Sequence, residues 1–225
     1  MPEDRSPSLD DRQIRDAVER GLGEISASAD TEVVDRLVGL VILLAQWAPR
    51  MNLTGHHDPM AIVSRLVLDA AALAGRLPEL RAARSLADLG SGAGFPGLPI
   101  AILSPWLSVY LVESREKRHH FQRAARRQLG LEGVVPIHGR SDAVEIRACD
   151  VVIAQAMTQP AEAIRAMLPW ARPGGLLVLP ASEGSEPPQL DPGSLPIALP
   201  LERRDYRVPI AGLSRSLWVA RVANP

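Results

Sequence analysis

The sequence is poor in several residue types, and each scarcity excludes a class of protein. A single cysteine, Cys149, excludes a disulfide framework and favours a reducing compartment. The longest apolar run, Leu37 to Ala45, is far shorter than the roughly 20 residues that cross a bilayer. The first residues, Met1 to Arg5, are charged and lack the apolar segment of a secretory signal. We therefore expect a cytoplasmic protein that does not contact membranes.

Lysine is almost absent as well. Lys117 is the one lysine among 25 basic residues, and the others are arginine. The formal net charge of −1 argues against a surface that is basic throughout. The cations are nevertheless clustered over a short segment that contains one acid, Glu116. The clustered residues are Arg115, Lys117, Arg118, Arg123, Arg126 and Arg127.

A glycine-rich turn lies between an apolar strand pattern and an apolar helix pattern, at residues 87–97. Gly90, Gly92 and Gly94 can adopt backbone angles that a Cβ atom forbids, so a ligand can lie against bare backbone at the positive end of the next helix. Such a turn suits a nucleotide-like ligand. The spacing Gly92-x-Gly94-x-x-Gly97 also fits a dinucleotide fingerprint, which alone is weak evidence.

The neighbouring acids favour a different ligand from a dinucleotide. Asp88 precedes the turn, and the pattern Asp-x-Gly-x-Gly-x-Gly resembles the first motif of Rossmann-like methyltransferases that use S-adenosylmethionine. An acid beside the turn suits the cationic sulfonium of that cofactor. Glu113 ends the next apolar run, where a carboxylate can accept hydrogen bonds from both ribose hydroxyls. We therefore predict that S-adenosylmethionine is the cofactor.

Residues 1–9 are expected to be disordered, helical patterns dominate the rest of the first 80 residues, and strands alternate with helices afterwards. We predict an amino-terminal helical cap over residues 1–80 and an S-adenosylmethionine-binding domain over residues 81–225. The predicted fold class is α/β, a Rossmann-like class I methyltransferase with a mostly parallel seven-stranded sheet and helices on both faces. The expected helices include 30–49, 58–75, 115–129 and 161–170. The expected strands are 85–89, 109–113, 134–138, 150–154 and 176–179, followed by a hairpin near 201–208 and 216–222.

Ligands of open α/β sheets bind at the carboxyl ends of the strands. This rule places the glycine turn and the residues that follow the next three strands in one predicted pocket. We expect Asp142 to accept a hydrogen bond from the adenine amine and Phe95 to cover a ring. The predicted cofactor-binding residues are Asp88, Gly90, Gly92, Gly94, Phe95, Glu113, Ser141, Asp142 and Gln155.

Motifs outside the turn make the resemblance more specific. The chain resembles the RsmG (GidB) family of 16S rRNA guanine-N7 methyltransferases from about Trp47 to Pro180. The motifs that carry this resemblance are Trp47 with Asn52-Leu53-Thr54, Arg65 with Asp69, the extended turn from Asp88 to Pro99, and Lys117-Arg118 with Gly139-Arg140.

The resemblance implies a substrate and a partner. The methyl acceptor would be a guanine in the decoding-region loop of 16S rRNA, and the partner would be the small ribosomal subunit. With that partner, the cation cluster becomes a predicted contact for RNA phosphates. The predicted RNA-binding residues are Arg115, Lys117, Arg118, Arg123, Arg126 and Arg140.

The predicted chemistry agrees with what the sequence lacks. Guanine N7 carries a free lone pair, so methyl transfer needs alignment and no general base, and we assign no catalytic residue with certainty. Cys149 precedes the fourth strand, which argues against a nucleophilic cysteine for cytosine C5 transfer. The segment Gln155 to Thr158 lacks the Asn/Asp-Pro-Pro-aromatic turn that is typical of exocyclic-amine methylation. The sequence contains pairs of adjacent histidines, but neighbouring side chains point apart and no cysteine or carboxylate cluster completes a metal site. We therefore predict that no metal is bound.

Three positions depart from the family pattern. Gln155 replaces an arginine, Leu66 replaces a histidine, and Pro180-Ala181 replaces Lys-Gly. All three are expected to face the pocket, so two alternatives stay open. One is a methyltransferase that acts on a small molecule, and the other is a non-catalytic relative that binds RNA or the ribosome. In each case we expect a monomer.

Overall fold

The computed structural model describes residues 9–27, 30–155, 159–191, 193 and 195–224. Seven strands form one sheet in the order β3-β2-β1-β4-β5-β7-β6. β7 runs antiparallel to β5 and β6, and all other neighbours are parallel. The predicted mostly parallel seven-stranded sheet is therefore confirmed. The strands are β1 (Ser85–Leu89), β2 (Ser108–Glu113), β3 (Val134–His138), β4 (Cys149–Ala154), β5 (Ala171–Ser182), β6 (Glu202–Arg207) and β7 (Ser214–Arg221).

Helices precede the sheet and connect its strands. Two of the cap helices begin where the sequence indicates, because Asp30 accepts a hydrogen bond from the Val33 amide at 2.9 Å and Asp58 accepts one from the Ala61 amide at 2.8 Å. The helices are α1 (Leu9–Glu24), α2 (Thr31–Met51), α3 (Pro59–Ile62), α4 (Leu68–Gly75), α5 (Gly97–Leu103), α6 (Glu116–Gln128) and α7 (Pro160–Met167).

The cap helices, α5 and α6 cover one face of the sheet, and α7 covers the other. On the first face, the rings of Trp47 and Phe121 meet edge to face at 5.8 Å, which joins α2 to α6. On the second face, Ile164 and Met167 of α7 pack with the fully buried Trp170 against β4 and β5. Helices on both faces are thus confirmed. The division at residue 80 remains a prediction, since cap and sheet residues share one hydrophobic core.

Several element bounds differ from the predictions for local reasons. The helix predicted over 58–75 is interrupted by a π-helical segment, Val63–Val67. α2 continues past Pro49 to Met51, and Asn52 in the left-handed conformation follows it. The strand predicted over 176–179 is longer, because β7 pairs with residues 176–182. β3 is an edge strand, so Pro136 interrupts no pairing with β2.

Some expectations fall outside the described residues, namely the first eight residues of the cap and residues 156–158 after β4. Within the described part of the chain, no helix is both long enough and apolar enough to cross a membrane.

Two glycines in α1 should respond in opposite ways to replacement by alanine. A Cβ on Gly21 would clash with Cδ1 of the fully buried Leu68, whereas a Cβ on Gly23 would meet nothing within 4 Å. We expect Gly21→Ala to lower the free energy of unfolding by about 1–3 kcal/mol through overpacking. The matched control, Gly23→Ala, should raise it by roughly 0.5–1 kcal/mol. Urea denaturation measures both, and equal effects would contradict the close packing of α1 on α4.

Candidate cofactor and acceptor site

The turn after β1 is held by hydrogen bonds from the end of β2. The amides of Gly90 and Ser91 both donate to the carbonyl oxygen of Val112, at 2.9 and 3.1 Å. The Gly92 amide donates to Oε2 of Glu113 at 2.8 Å. Gly90 and Gly92 have φ angles of 68° and 58°, which a residue with a Cβ adopts at a cost. The predicted glycine positions are therefore required by the shape of the turn.

A buried glutamine on α6 supports the same turn. The side-chain amide of Gln122 donates to Oγ of Ser91 and to the carbonyl oxygen of Gly92, both at 2.8 Å. The sequence predictions missed this residue, which lies between Phe121 and Ala124 on the buried side of the helix. A polar residue on an otherwise apolar helix face could have indicated that Gln122 forms buried hydrogen bonds.

The structure gives Asp88 a different position from the one predicted. Its carboxyl group is fully buried beneath the turn, and Oδ2 accepts a hydrogen bond from the Gly97 amide at 2.8 Å. Oδ1 has no partner among the described residues. Burial raises the pKa of Asp88 to about 7, the Gly97 amide opposes this shift, and the charge of Glu113 adds to it. Asp88 thus stabilises the start of α5 from below and does not face a ligand directly.

A cleft of about 480 Å³ opens at the carboxyl ends of β1, β2 and β3. Of the predicted cofactor residues, Gly90, Ser141 and Asp142 line it. Arg140 also lines the cleft and forms a two-pronged pair with Asp142, with N···O distances of 3.1 and 3.0 Å. This pair holds the pKa of Asp142 below its usual value. Arg140, predicted to bind RNA, therefore belongs to the predicted cofactor cleft.

Glu113 lies beside this cleft and is 4 % exposed. Its Oε2 accepts from Gly92, and its Oε1 accepts from the Arg115 amide at 2.7 Å. Each carboxylate oxygen has a second lone pair, so hydrogen bonding to a ribose remains chemically available. Arg118 turns towards Glu113, with Nη1 3.8 Å from Oε2. Arg118 is therefore part of the support of the turn, whereas the sequence analysis assigned it to RNA binding.

Phe95 and Gln155 lie in a second region, next to the cap. They border a recess of about 30 Å³ that Leu66 and Asp69 also line. Gln155 continues into a cleft of about 340 Å³ that contains Pro180. The residues predicted to form one pocket thus line separate cavities. We call the one lined by Gly90, Ser141 and Asp142 the cofactor cleft and the two that Gln155 borders the acceptor region. The three departures from the family pattern all line the acceptor region.

The cap contributes a carboxylate to this acceptor region. Oδ1 of Asp69 accepts a hydrogen bond from the Tyr206 hydroxyl at 2.8 Å, and Oδ2 lies 3.6 Å from Nε of Arg215. Burial raises the pKa of Asp69, and the Tyr206 and Arg215 contacts oppose the shift. The sequence predictions did not assign Tyr206 or Arg215 to the site.

The remaining cations of α6 form a separate surface. A groove of about 710 Å³ runs along the helix and is lined by Trp47, Arg123, Arg126 and Arg127. These three arginines are exposed, as are Arg115 and Lys117 near the start of the helix. Five of the six clustered cations are therefore exposed on α6 or directly before it.

Two other chemistries have little support in the described part of the chain. No group of three or more histidine, cysteine or acidic side chains there is arranged to hold a metal ion. Cys149 is buried, and burial raises the pKa of its thiol to about 11, so it is not a thiolate near neutral pH.

The sheet order, with the glycine turn at the switch point between β1 and β4, defines the Rossmann-like fold of S-adenosylmethionine-dependent methyltransferases. The structure is similar to an O-methyltransferase from Bacillus cereus in complex with SAH, with a TM-score of 0.56 and 16% identity, over 92% of this chain and 97% of that one. A putative O-methyltransferase from Klebsiella pneumoniae gives a TM-score of 0.56 and 14% identity, over 95% and 99% of the two chains.

The sequence comparisons narrow this class to one family. The GidB family model, described as rRNA small subunit methyltransferase G, matches residues 34–186. Relatives called "Ribosomal RNA small subunit methyltransferase G" are 36% identical in Chromohalobacter salexigens, over 92% of this chain and 96% of the relative, and 30% identical in Myxococcus xanthus, over 94% and 98%. The chain belongs to the GidB family.

Asp88→Asn should change how stability depends on pH. The folded protein retains the Asp88 proton up to a pKa of about 7, whereas the unfolded chain releases it near the ordinary value of 3.8. The stabilisation is complete below that ordinary value and is lost as the pH rises through the folded pKa. Between about pH 5 and pH 8, we expect the wild type to lose about 1–3 kcal/mol of unfolding free energy relative to Asp88→Asn. Urea denaturation at both pH values checks this, and parallel pH profiles would contradict it.

Proposed function

We propose that this protein transfers the methyl group of S-adenosylmethionine to N7 of a guanine in the decoding-region loop of 16S rRNA. The observation that carries the proposal is a ligand cleft beside a glycine turn that is hydrogen-bonded to Glu113, in a chain of the GidB family. Relatives that cover nearly the whole chain are named as methyltransferases of small-subunit ribosomal RNA. We also propose that the protein acts in the cytoplasm as a monomer.

The residues at the cofactor cleft fit S-adenosylmethionine. Gly90 has no side chain to occupy the cleft that it lines, so the cofactor can lie against the turn. Glu113 is positioned next to the turn to accept from the ribose hydroxyls, and Ser141 and Asp142 line the far side of the cleft to receive the adenine. The bound cofactor supplies a methyl group on a positively charged sulfur. The protein's residues hold that group at the boundary with the acceptor region.

The acceptor region fits a base that attacks through a free lone pair. Gln155 stands at the tip of β4, and Phe95 follows the glycine turn, so both border the boundary between cofactor and acceptor. Phe95 offers an apolar surface to a base, and Gln155 offers neutral hydrogen-bonding groups. Neither is a general base, and N7 of guanine requires none. The proposed catalysis therefore consists of aligning N7, methyl group and sulfur.

The α6 groove favours RNA over a small molecule as the acceptor. Arg123, Arg126 and Arg127 line an open groove next to Trp47. Within the described part of the chain, none of the three forms an ion pair with a carboxylate. Exposed guanidinium groups on one helix can bind several phosphates of an RNA backbone. A small-molecule enzyme has no need for such a surface.

Methyl transfer from labelled S-adenosylmethionine to small ribosomal subunits that lack the modification tests the proposed function. We expect Gly92→Asp to abolish cofactor binding, because it adds a second carboxylate next to Glu113, which accepts a hydrogen bond from the amide of residue 92. The matched control is Gly130→Asp, because Gly130 also has a positive φ, of 63°, but lies at the end of α6. Calorimetry should show cofactor binding in the wild type and in the control, and binding by Gly92→Asp would contradict the assigned cleft.

The contribution of the groove can be measured through its salt dependence. Replacing Arg126 and Arg127 with alanine should reduce the slope of log affinity against log salt by about 1–2, since each neutralised phosphate contributes about 0.7–0.9. The control replaces Arg147 and Arg165, exposed residues of the β3–β4 connection and of α7, and removes the same charge. Fluorescence titration of 16S rRNA fragments over a range of salt concentrations gives the slopes. Equal slopes in the two double variants would show that the groove does not bind phosphate.

A further inference from the structure

Asp69, Tyr206 and Arg215 meet where the cap contacts the antiparallel end of the sheet. Asp69 is on α4, and the other two are directly opposite each other on β6 and β7. The Tyr206 hydroxyl donates to Oδ1 of Asp69 at 2.8 Å. Nε of Arg215 lies 3.6 Å from Oδ2, which is an ion pair but is longer than a hydrogen bond.

These three residues border the acceptor region. Asp69 lines the small recess together with Phe95 and Gln155, whereas Tyr206 and Arg215 line the larger cleft that Gln155 shares. A recess of about 30 Å³ is too small for a purine ring but large enough for one amine group. A base in the larger cleft could therefore place one edge against Asp69.

Two buried donors in this region lack acceptors. Nε of Arg215 and Nε1 of Trp218 are inaccessible to solvent and have no hydrogen-bond partner among the described residues. Both residues line the larger cleft. Buried donors are nearly always satisfied in folded proteins, so this end of the cleft has more donors than acceptors. The Arg215 side chain is 31 % exposed, so the other N–H groups of its guanidinium can reach an acceptor in the cleft.

The order of these groups matches one edge of guanine. The Watson–Crick edge of guanine carries an acceptor, O6, followed by two donors, N1–H and the exocyclic amine. Arg215 supplies donors only, and an ionised Asp69 supplies acceptors only. Adenine presents a donor and then an acceptor at the corresponding positions, so it would oppose like groups. A base that directs N7 to the cofactor directs its Watson–Crick edge away from the cofactor, towards the cap.

We propose that Asp69 and Arg215 select guanine as the methyl acceptor, with Asp69 accepting from N1–H and the exocyclic amine and Arg215 donating to O6. Tyr206 is a positioning residue that fixes the Asp69 carboxylate. The inference rests on the proposed function and adds to it the residues that recognise the base. It also gives the cap a direct role, since Asp69 comes from a cap helix.

Inosine tests this assignment because it is guanosine without the exocyclic amine. Small subunits are reconstituted with 16S rRNA that carries guanosine or inosine at the position that the wild type methylates, and kcat/KM is measured for each. The wild type should prefer guanosine at least about tenfold, as expected for one hydrogen bond to a charged group. Asp69→Ala should bring this ratio close to one.

Tyr206→Phe is the matched control for a purely structural role. It also breaks the hydrogen bond between cap and sheet, but it keeps the carboxylate. It should therefore lower the melting temperature and give a preference for guanosine that is smaller than that of the wild type but clearly larger than that of Asp69→Ala. If Asp69→Ala does not fold, Asp69→Asn replaces it and should lower the ratio severalfold. Equal use of guanosine and inosine by the wild type would overturn the inference without any variant. A preserved ratio in a folded Asp69 variant would overturn it as well.

The outcomes separate this inference from the proposed function. Methylation of guanosine at N7 with no discrimination against inosine would leave the proposed function intact and remove the base-recognition role. If the wild type transferred no methyl group to either substrate, the proposed function would fail, and the inference would fail with it.

Discussion

The site depends on the hydrogen bonds that hold the glycine turn between β1, β2 and α6. Glu113 and Gln122 bind Gly92 from two sides, and Asp88 binds the first amide of α5 from below. All three side chains are at least nine-tenths buried, so their polar groups replace the hydrogen bonds that water would make. The turn is thereby fixed before a ligand arrives, which reduces the ordering cost of binding.

This support has an electrostatic cost. Asp88 and Glu113 are acids in the same buried region, and the charge of Glu113 helps to raise the pKa of Asp88. Arg118 offsets part of that cost from α6, since its guanidinium group lies 3.8 Å from Glu113. The start of α6 thus supports the cofactor cleft, and its later turns carry the exposed arginines of the groove. One helix therefore connects the two sites of the proposed reaction.

The sequence predicted those parts of the structure that are determined locally. The glycine turn and the cap residues Asp30 and Asp58 have short-range signatures, and the mostly parallel sheet follows from alternating strands and helices. The directions of buried polar side chains could not be predicted in the same way. Asp88 and Arg118 turn inwards because of groups on other elements, and their spacing in the sequence does not reveal this.

Contacts between residues that are far apart in the sequence account for most of the features that could not be predicted. The Asp69–Tyr206 hydrogen bond joins residues 137 positions apart, and it depends on the docking of the cap against the β6–β7 hairpin. The extension of β5 likewise depends on pairing with β7. The predicted single pocket is divided for the same reason, since the cap and the hairpin, and not the parallel strands alone, enclose the acceptor region.

The position of the transferred methyl group tests the account most directly. Small subunits that lack the modification would be incubated with the protein and labelled S-adenosylmethionine, and their 16S rRNA would then be reduced with borohydride and treated with aniline, which cleaves the chain at 7-methylguanosine. We expect the labelled methyl group at one guanine of the decoding-region loop, with strand cleavage at that nucleotide. A label that resists cleavage, or that lies on another base, would contradict guanine N7 as the acceptor.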